Sequence, residues 1–230
     1  MIKRLIALSL LAAVASVFAT LLLGYTPDAD LNLTARYYAE RTAADLGAAN
    51  IVTAIVVTYR GLDTLGEVTV LFLAASIVGL VLAKGSHQRT RAAVPAGELL
   101  VTGARFLVPL ILLLGVYVFV NGHLTPGGGF QGGAIIASGI LLLLLADPLK
   151  HFSHGLISAI ESLAGIFYVA IGLAGLFFAG GFLDNRILPL GQVGDLFSAG
   201  AIPLIYSLIG LKVGAEFASI LAALSETEEL

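Results

Sequence analysis

The chain has 230 residues, 58% of them hydrophobic and only 12% charged, with a net charge of −3. A soluble domain needs roughly a quarter of its residues charged to cover its surface, so most of this surface faces something other than water. There is no cysteine, which excludes a disulfide framework and any Cys-ligated metal or iron–sulfur site, and no basic domain or stacking platform suggests nucleic acid.

A hydrocarbon core about 30 Å thick requires about 20 apolar residues of helix. In chain order the apolar runs are Leu5–Gly24, Glu67–Ala83, Phe106–Asn121, Phe130–Ala146, Leu156–Ala179 and Ala199–Leu224. They are continuously apolar, without the period-two alternation of a membrane barrel, and in lipid each must satisfy its backbone internally. The expected fold is therefore an all-α integral membrane protein of about six transmembrane helices. The first run is longer than a signal-peptide core, although Val17-Phe18-Ala19 resembles a weak cleavage site, so it reads as an anchor.

Between the first two spans, Ala35, Tyr38, Ala39, Thr42, Ala43 and Leu46 recur at helical spacing, opposite Arg36, Glu40, Arg41 and Asp45. This predicts a short helix in the interface plane, ended by Gly47. Asn50–Thr58 is half a span long and is expected to pack on the bundle or re-enter. Thr64-Leu65-Gly66-Glu67 has the S/T-x-x-E form of a capping box before an apolar run, which accounts for the spacing; Asp63 and Glu67 also stand as candidates for an acidic ion entry.

The stretch 84–98, KGSHQRTRAAVPAGE, is polar, basic and proline-containing, and divides a two-helix module (1–83) from a four-helix module (99–225). With both termini cytoplasmic, Lys3, Arg4, Lys84, Arg89, Arg91, Arg105 and Lys150 fall on the cytoplasmic side. Arg36, Arg41, Arg60 and Arg186 then fall outside, and the seven-to-four bias sets that orientation.

Gly127-Gly128-Gly129-Phe130-Gln131-Gly132 satisfies G-x-G-x-x-G, with Asp147 twenty residues beyond Gly127. Its context, a loop between membrane helices with no preceding strand, rejects a dinucleotide site. The glycines instead predict a tight turn packed against neighbouring helices, continuing through Gly129 and Gly133 as small-xxx-small; exposed N–H groups at that helix start could also hold an anion or orient water. Gly210 and Gly214 form a second such pair.

Glu161, Lys212 and Glu216 lie inside predicted spans, where charge is costly and marks function by default. Lys212 and Glu216, four apart, can pair on one helix face, as a structural pair or as part of an ion path. Glu161 is expected to reach the interface, and His123 to be a solvated interfacial histidine able to relay protons. His151 and His154 lack the carboxylates or cysteines that would complete a metal site.

Several strings together carry a family resemblance. NGHLTPGGGFQGG (Asn121–Gly133) resembles the B subunit of Mrp-type multisubunit sodium/proton antiporters, MnhB. GAIPLIYSLIGLKVGAEF (Gly200–Phe217) is similar to that subunit's final helix in the version found in energy-converting membrane-bound hydrogenases and sulfane reductases. YRGLDTLGE (Tyr59–Glu67) resembles the FRGFDTLGE element of the large Mrp A subunit, with Tyr59 and Leu62 replacing the usual phenylalanines. The resemblance implies a fusion of two adjacent subunits, in a module that exchanges sodium for protons in a prokaryotic cell membrane. It implies partners among other Mrp-type subunits and a hydrogenase-like redox module, no enzyme activity of the chain alone, no cofactor bound by it, and Na+ and H+ as the transported ions. The single intramembrane lysine and the lack of an inverted repeat point to an accessory role. A self-sufficient transporter and a pure scaffold are the competing readings.

Overall fold

The computed structural model describes residues 2–26, 30–85, 96–147 and 153–227. Arg89, Arg91, Lys150 and His151, and most of the polar linker, lie outside the described residues. Among these there is helix and no strand. Six helices are long and apolar enough to cross a membrane: α1 (Ile2–Leu23), α4 (Gly61–Gly85), α5 (Glu98–Val120), α6 (Gly129–Ala146), α7 (His154–Phe178) and α8 (Ile202–Thr227). At 1.5 Å per residue they are about 27 to 39 Å long. Two short helices, α2 (Leu33–Leu46) and α3 (Ile51–Ala54), lie between α1 and α4.

The chain divides into two units, residues 1–37 and 38–230. In the first, α1 buries no residue; its apolar side chains, such as Leu11, Phe18 and Leu22, are exposed all round. A helix apolar on every face is stable only in lipid or against a partner.

The second unit is built around α8, which packs on α4, α5, α6 and α7. Its inward residues Ile202, Ile205, Ile209 and Val213 are fully buried with Val57, Val68, Tyr168 and Leu183. The other helices turn large aliphatic and aromatic residues outward, Phe106, Leu113, Leu163 and Phe177 among them, as a lipid-facing surface requires.

Gly47, at φ +68°, ends α2, because a glycine takes the left-handed conformation without a Cβ penalty. Asn50 then starts α3 by accepting from the Thr53 N–H at 3.3 Å, as an N-cap asparagine does. A π-helical turn, Ile55–Tyr59, follows, and Leu33–Leu46 and Ile51–Tyr59 meet at 84°. The predicted interfacial helix and half-span are thus the two arms of one bent segment.

The capping box is not formed. α4 begins at Gly61, three residues before Thr64, so Thr64 already lies within the helix and is buried. Its hydroxyl donates to the Val56 carbonyl at 2.5 Å, which ties α4 to the π-helical turn. The helix start places Asp63 in the first turn, 2.6 Å from Arg60.

Candidate functional site

The glycines let α5, α6 and α8 approach closely. A Cβ at Gly129 would lie 2.5 Å from Ile209 Cγ2, one at Gly133 2.8 Å from the Gly210 carbonyl oxygen, and one at Gly132 2.6 Å from that of Gly115. Gly210 in turn meets the Phe119 ring. Gly127 faces the Val118 carbonyl, and Gly128 the Gln131 side chain and the Tyr206 ring. Gly214 is different: a Cβ there would make ordinary contacts, 3.4 Å from Ile136 and 3.5 Å from the Gly133 carbonyl.

That approach sets the position of α8, and α8 carries the site. Lys212 lies ten residues past Ile202, about 15 Å along the helix. Its Nζ is 2.8 Å from Glu216 Oε1 and 3.7 Å from Glu161 Oε1 on α7. The Phe72 ring of α4 lies under the ammonium, 4.9 Å to its centroid, a favourable cation–π distance. On α7, Gly165 lies beside the lysine: a Cβ there would make ordinary contact, 3.7 Å from Lys212 Cδ, Cε and Nζ.

Burial is uneven across the three charges. The side chains of Lys212 and Glu161 are 12% and 15% exposed, whereas that of Glu216 is 0% exposed. The Lys212–Glu216 contact is an ion pair at close range without the alignment of a hydrogen bond, and Glu216 Oε2 has no hydrogen-bond partner. Glu161 therefore does not reach out to the interface as predicted; it turns inward to share the lysine. Spacing along one helix could reveal only the Lys212–Glu216 pair. The contribution of Phe72, on a helix far away in sequence, was missed.

Asp63 and Glu67 are not part of this cluster. Asp63 is exposed and paired with Arg60, and Glu67 is exposed on the flank of α4.

His123 is in a second polar region, at the end of the bundle where the α5–α6 turn meets the α7–α8 connector. It is 0% exposed, which corrects the expectation of a solvated histidine. The connector folds over it, with the Asp195 carbonyl 3.4 Å from Nε2, while Nδ1 is buried without a partner. Burial pushes its pKa below 6.5, against the raising effect of nearby carbonyls. The His123 carbonyl accepts from the N–H groups of Ala49 and Asn50 at 3.1 and 2.9 Å. Asn50 Nδ2 donates to the carbonyls of Gly122 and Thr125, both at 2.9 Å, and the Thr53 hydroxyl donates to Gly122 at 2.6 Å.

Asn185, which sequence reasoning did not single out, closes this region. It is fully buried, and its amide donates to Leu46 at 2.8 Å and Ala199 at 2.9 Å. Beside it, Asp184 accepts from Arg186 and from the Gly180 N–H. The hydrogen bonds of the Arg186 side chain are the main cause that lowers its pKa to about 2. Leu183 and Ala199 are buried at positive φ, 59° and 65°, conformations that non-glycine residues hold only where their surroundings impose them.

Six membrane-length helices and a buried ionisable cluster between three of them define a multi-pass membrane protein with a charged centre. The family model described as "Domain related to MnhB subunit of Na+/H+ antiporter" matches residues 99–219, and a second model, that of the MBH E subunit, matches residues 3–95. The chain belongs to the MnhB-related family of antiporter subunits.

Its relatives extend the match. A protein of Methanocaldococcus jannaschii is 32% identical over 192 residues, which cover 71% of this chain and 72% of the relative. A probable K(+)/H(+) antiporter A/B subunit of Rhizobium meliloti is 27% identical over 226 residues, covering 82% of this chain and 22% of that protein. Among solved structures, a chain of the membrane-bound sulfane sulfur reductase, an archaeal respiratory membrane complex, superposes with a TM-score of 0.84 at 43% identity. That match covers 97% of this chain and 98% of the other. A chain of the Mrp complex from Dietzia sp. DQ12-45-1b gives a TM-score of 0.79 at 28% identity, covering 99% of this chain and 26% of the other. The chain thus spans about a quarter of that Mrp chain and nearly all of the sulfane reductase chain.

Proposed function

We infer that this chain is an accessory membrane subunit of a multisubunit Na+/H+ antiporter module, within a redox-driven ion-pumping complex. Na+ and H+ are the ions moved; the chain catalyses no reaction by itself and binds no cofactor. Its neighbours are other Mrp-type subunits and a membrane-bound redox module. The observation that carries this reading is the Glu161–Lys212–Glu216 cluster, held inside the spans of a chain that aligns end to end with one chain of a respiratory complex. Ionisable groups at membrane depth are expensive and are kept for ion movement or for packing.

The two family matches meet near residues 95–99, which supports a fusion of a two-helix module with a four-helix one. Both termini are assigned to the cytoplasm of a prokaryotic cell membrane, on the seven-to-four basic bias.

The test is purification through a tag on this chain, followed by reconstitution. Large antiporter-like subunits and a redox module should co-purify, and the complex should exchange protons for sodium. A chain that purifies alone and transports in liposomes would overturn the accessory role. In the same preparation a cysteine at Gln88, in a chain with none of its own, should be labelled only from the cytoplasmic side; labelling from outside reverses the topology.

A further inference from the structure

We propose that Glu161, Lys212 and Glu216 form a site for one exchangeable proton, shared between the two carboxylates with Lys212 as their common counter-charge. The site deepens the ion-moving role inferred above. Fully ionised, two carboxylates and one ammonium carry a net charge of −1, and leaving a buried charge uncompensated is strongly unfavourable. One added proton brings the cluster to neutrality.

The geometry matches that count. The ammonium stands 2.8 Å from Glu216 and 3.7 Å from Glu161, so a small swing of a flexible lysine exchanges its nearer partner. The Phe72 ring supports the cation from α4, and Gly165 of α7 lies beside the lysine's outer stem. Glu216 Oε2 is wholly buried without a hydrogen-bond partner, an oxygen that gains from a proton. Glu161 is partly exposed and is the side from which a proton enters. Lys212 can hand a proton to Glu216 while taking one from Glu161. One O–H bond breaks, another forms, and the lysine ends as the ammonium it began as.

No other charged side chain in the described residues is paired with the cluster. α6 carries no ionisable residue. On α5 these are Glu98, Arg105 and Tyr117, which lie toward its two ends. On α4, Asp63 pairs with Arg60 and Glu67 is exposed. On α7, Tyr168 donates to the Gly61 carbonyl, and on α8 Tyr206 packs on Gly122 and Gly128. A metal cation would have to sit against the ammonium with oxygens from only two carboxylates, so the proton is the ligand this site suits.

Infrared difference spectroscopy of the purified complex reads the proton directly, without transport. The wild type should show a protonated-carboxyl band, sensitive to D2O, that E161Q and E216Q each abolish, because either change leaves one carboxylate neutralised by Lys212. K212M should raise the band about twofold, since both carboxylates then need a proton. The glutamine variants preserve the shape of the protonated acid, so they remain informative if K212M fails to assemble. A band that survives in E161Q or in E216Q overturns the sharing, and one suppressed by sodium overturns the proton in favour of a cation. A complex with the expected bands but no cation-for-proton exchange rejects the antiporter reading and leaves the site standing.

Discussion

Asn185 and Glu216 are both wholly buried polar side chains of one bundle, and they are anchored differently, one by hydrogen bonds to the backbone and the other by an ion pair. The Asn185 amide nitrogen donates to two backbone carbonyls, those of Leu46 and Ala199, although its Oδ1 is buried without a partner, and Asn50 and Thr53 likewise donate to carbonyls. Glu216 has one ion contact, to Lys212, and neither of its oxygens makes a hydrogen bond. Backbone carbonyls are fixed by the fold and cannot change charge, so the connector end is suited to holding three chain segments in register. The cluster halfway along α8 depends on side chains that can move and titrate. One region supplies rigidity and the other retains alternatives.

Removing the lysine should have the largest effect. Lys212→Ala strands two carboxylates, and breaking a buried ion pair by deleting one partner costs about 3–5 kcal/mol. Complex yield should fall sharply, and Glu216→Ala should also impair assembly. The Lys212→Ala/Glu216→Ala double variant should recover part of the loss, leaving only the less buried Glu161. Proton exchange at matched complex levels, in inverted vesicles, then distinguishes the two regions' roles. Recovered assembly with exchange still impaired fits an ion-moving cluster. Full recovery of exchange would make the cluster structural, like the connector.

The converse change at the connector should be smaller and purely structural. Asn185→Ala takes the side-chain donor from the Leu46 carbonyl, while the Ala199 carbonyl keeps the Ile202 N–H; at about 1–3 kcal/mol for one unsatisfied buried group, it should lower the thermal stability of the complex. Exchange per assembled complex should stay at the wild-type level. Impaired exchange in fully assembled Asn185→Ala would show that the two regions are coupled, and the division between them would fail.

The difference between the regions also explains what was legible in the sequence. The spans were, because length and apolarity are properties of the local chain: the predicted Phe130–Ala146 and Leu156–Ala179 became Gly129–Ala146 and His154–Phe178. The helix end at Gly47 was too, since a left-handed glycine acts within a few residues, whereas the Asn50 cap and the bend it starts were not singled out. What could not be read depends on segments far apart in sequence. Thr64 has the spacing of a cap, but the π-helical turn moved the helix start to Gly61 and gave its hydroxyl to Val56. Glu161 looked solitary because its partner is on another helix, fifty-one residues later. Asn185 and the burial of His123 rest on a connector whose path turns on Leu183 and Ala199 in conformations their side chains disfavour.

His123, on the α5–α6 turn beneath the connector, is a titratable side chain of this region and offers the smallest and most selective test. Its ring is fully buried, with Nδ1 unpartnered and Nε2 facing the Asp195 carbonyl. Burial disfavours the charged ring, so the folded-state pKa lies below the ordinary 6.5. In the window between these two values the unfolded ring binds more protons than the folded one. Stability from the neutral, buried ring is therefore complete above pH 6.5 and declines as pH falls through the window, by at most about 1.4 kcal/mol per pH unit. The Ala49 and Asn50 amides report this locally, since both donate to the His123 carbonyl. Acidification from neutrality should speed their hydrogen exchange relative to amides within α8, and His123→Gln should remove that pH dependence while keeping a polar side chain of similar reach. If the amides of Ala49 and Asn50 exchange at a pH-independent relative rate in the wild type, His123 is as fixed as Asn185 and the connector holds no titrating element.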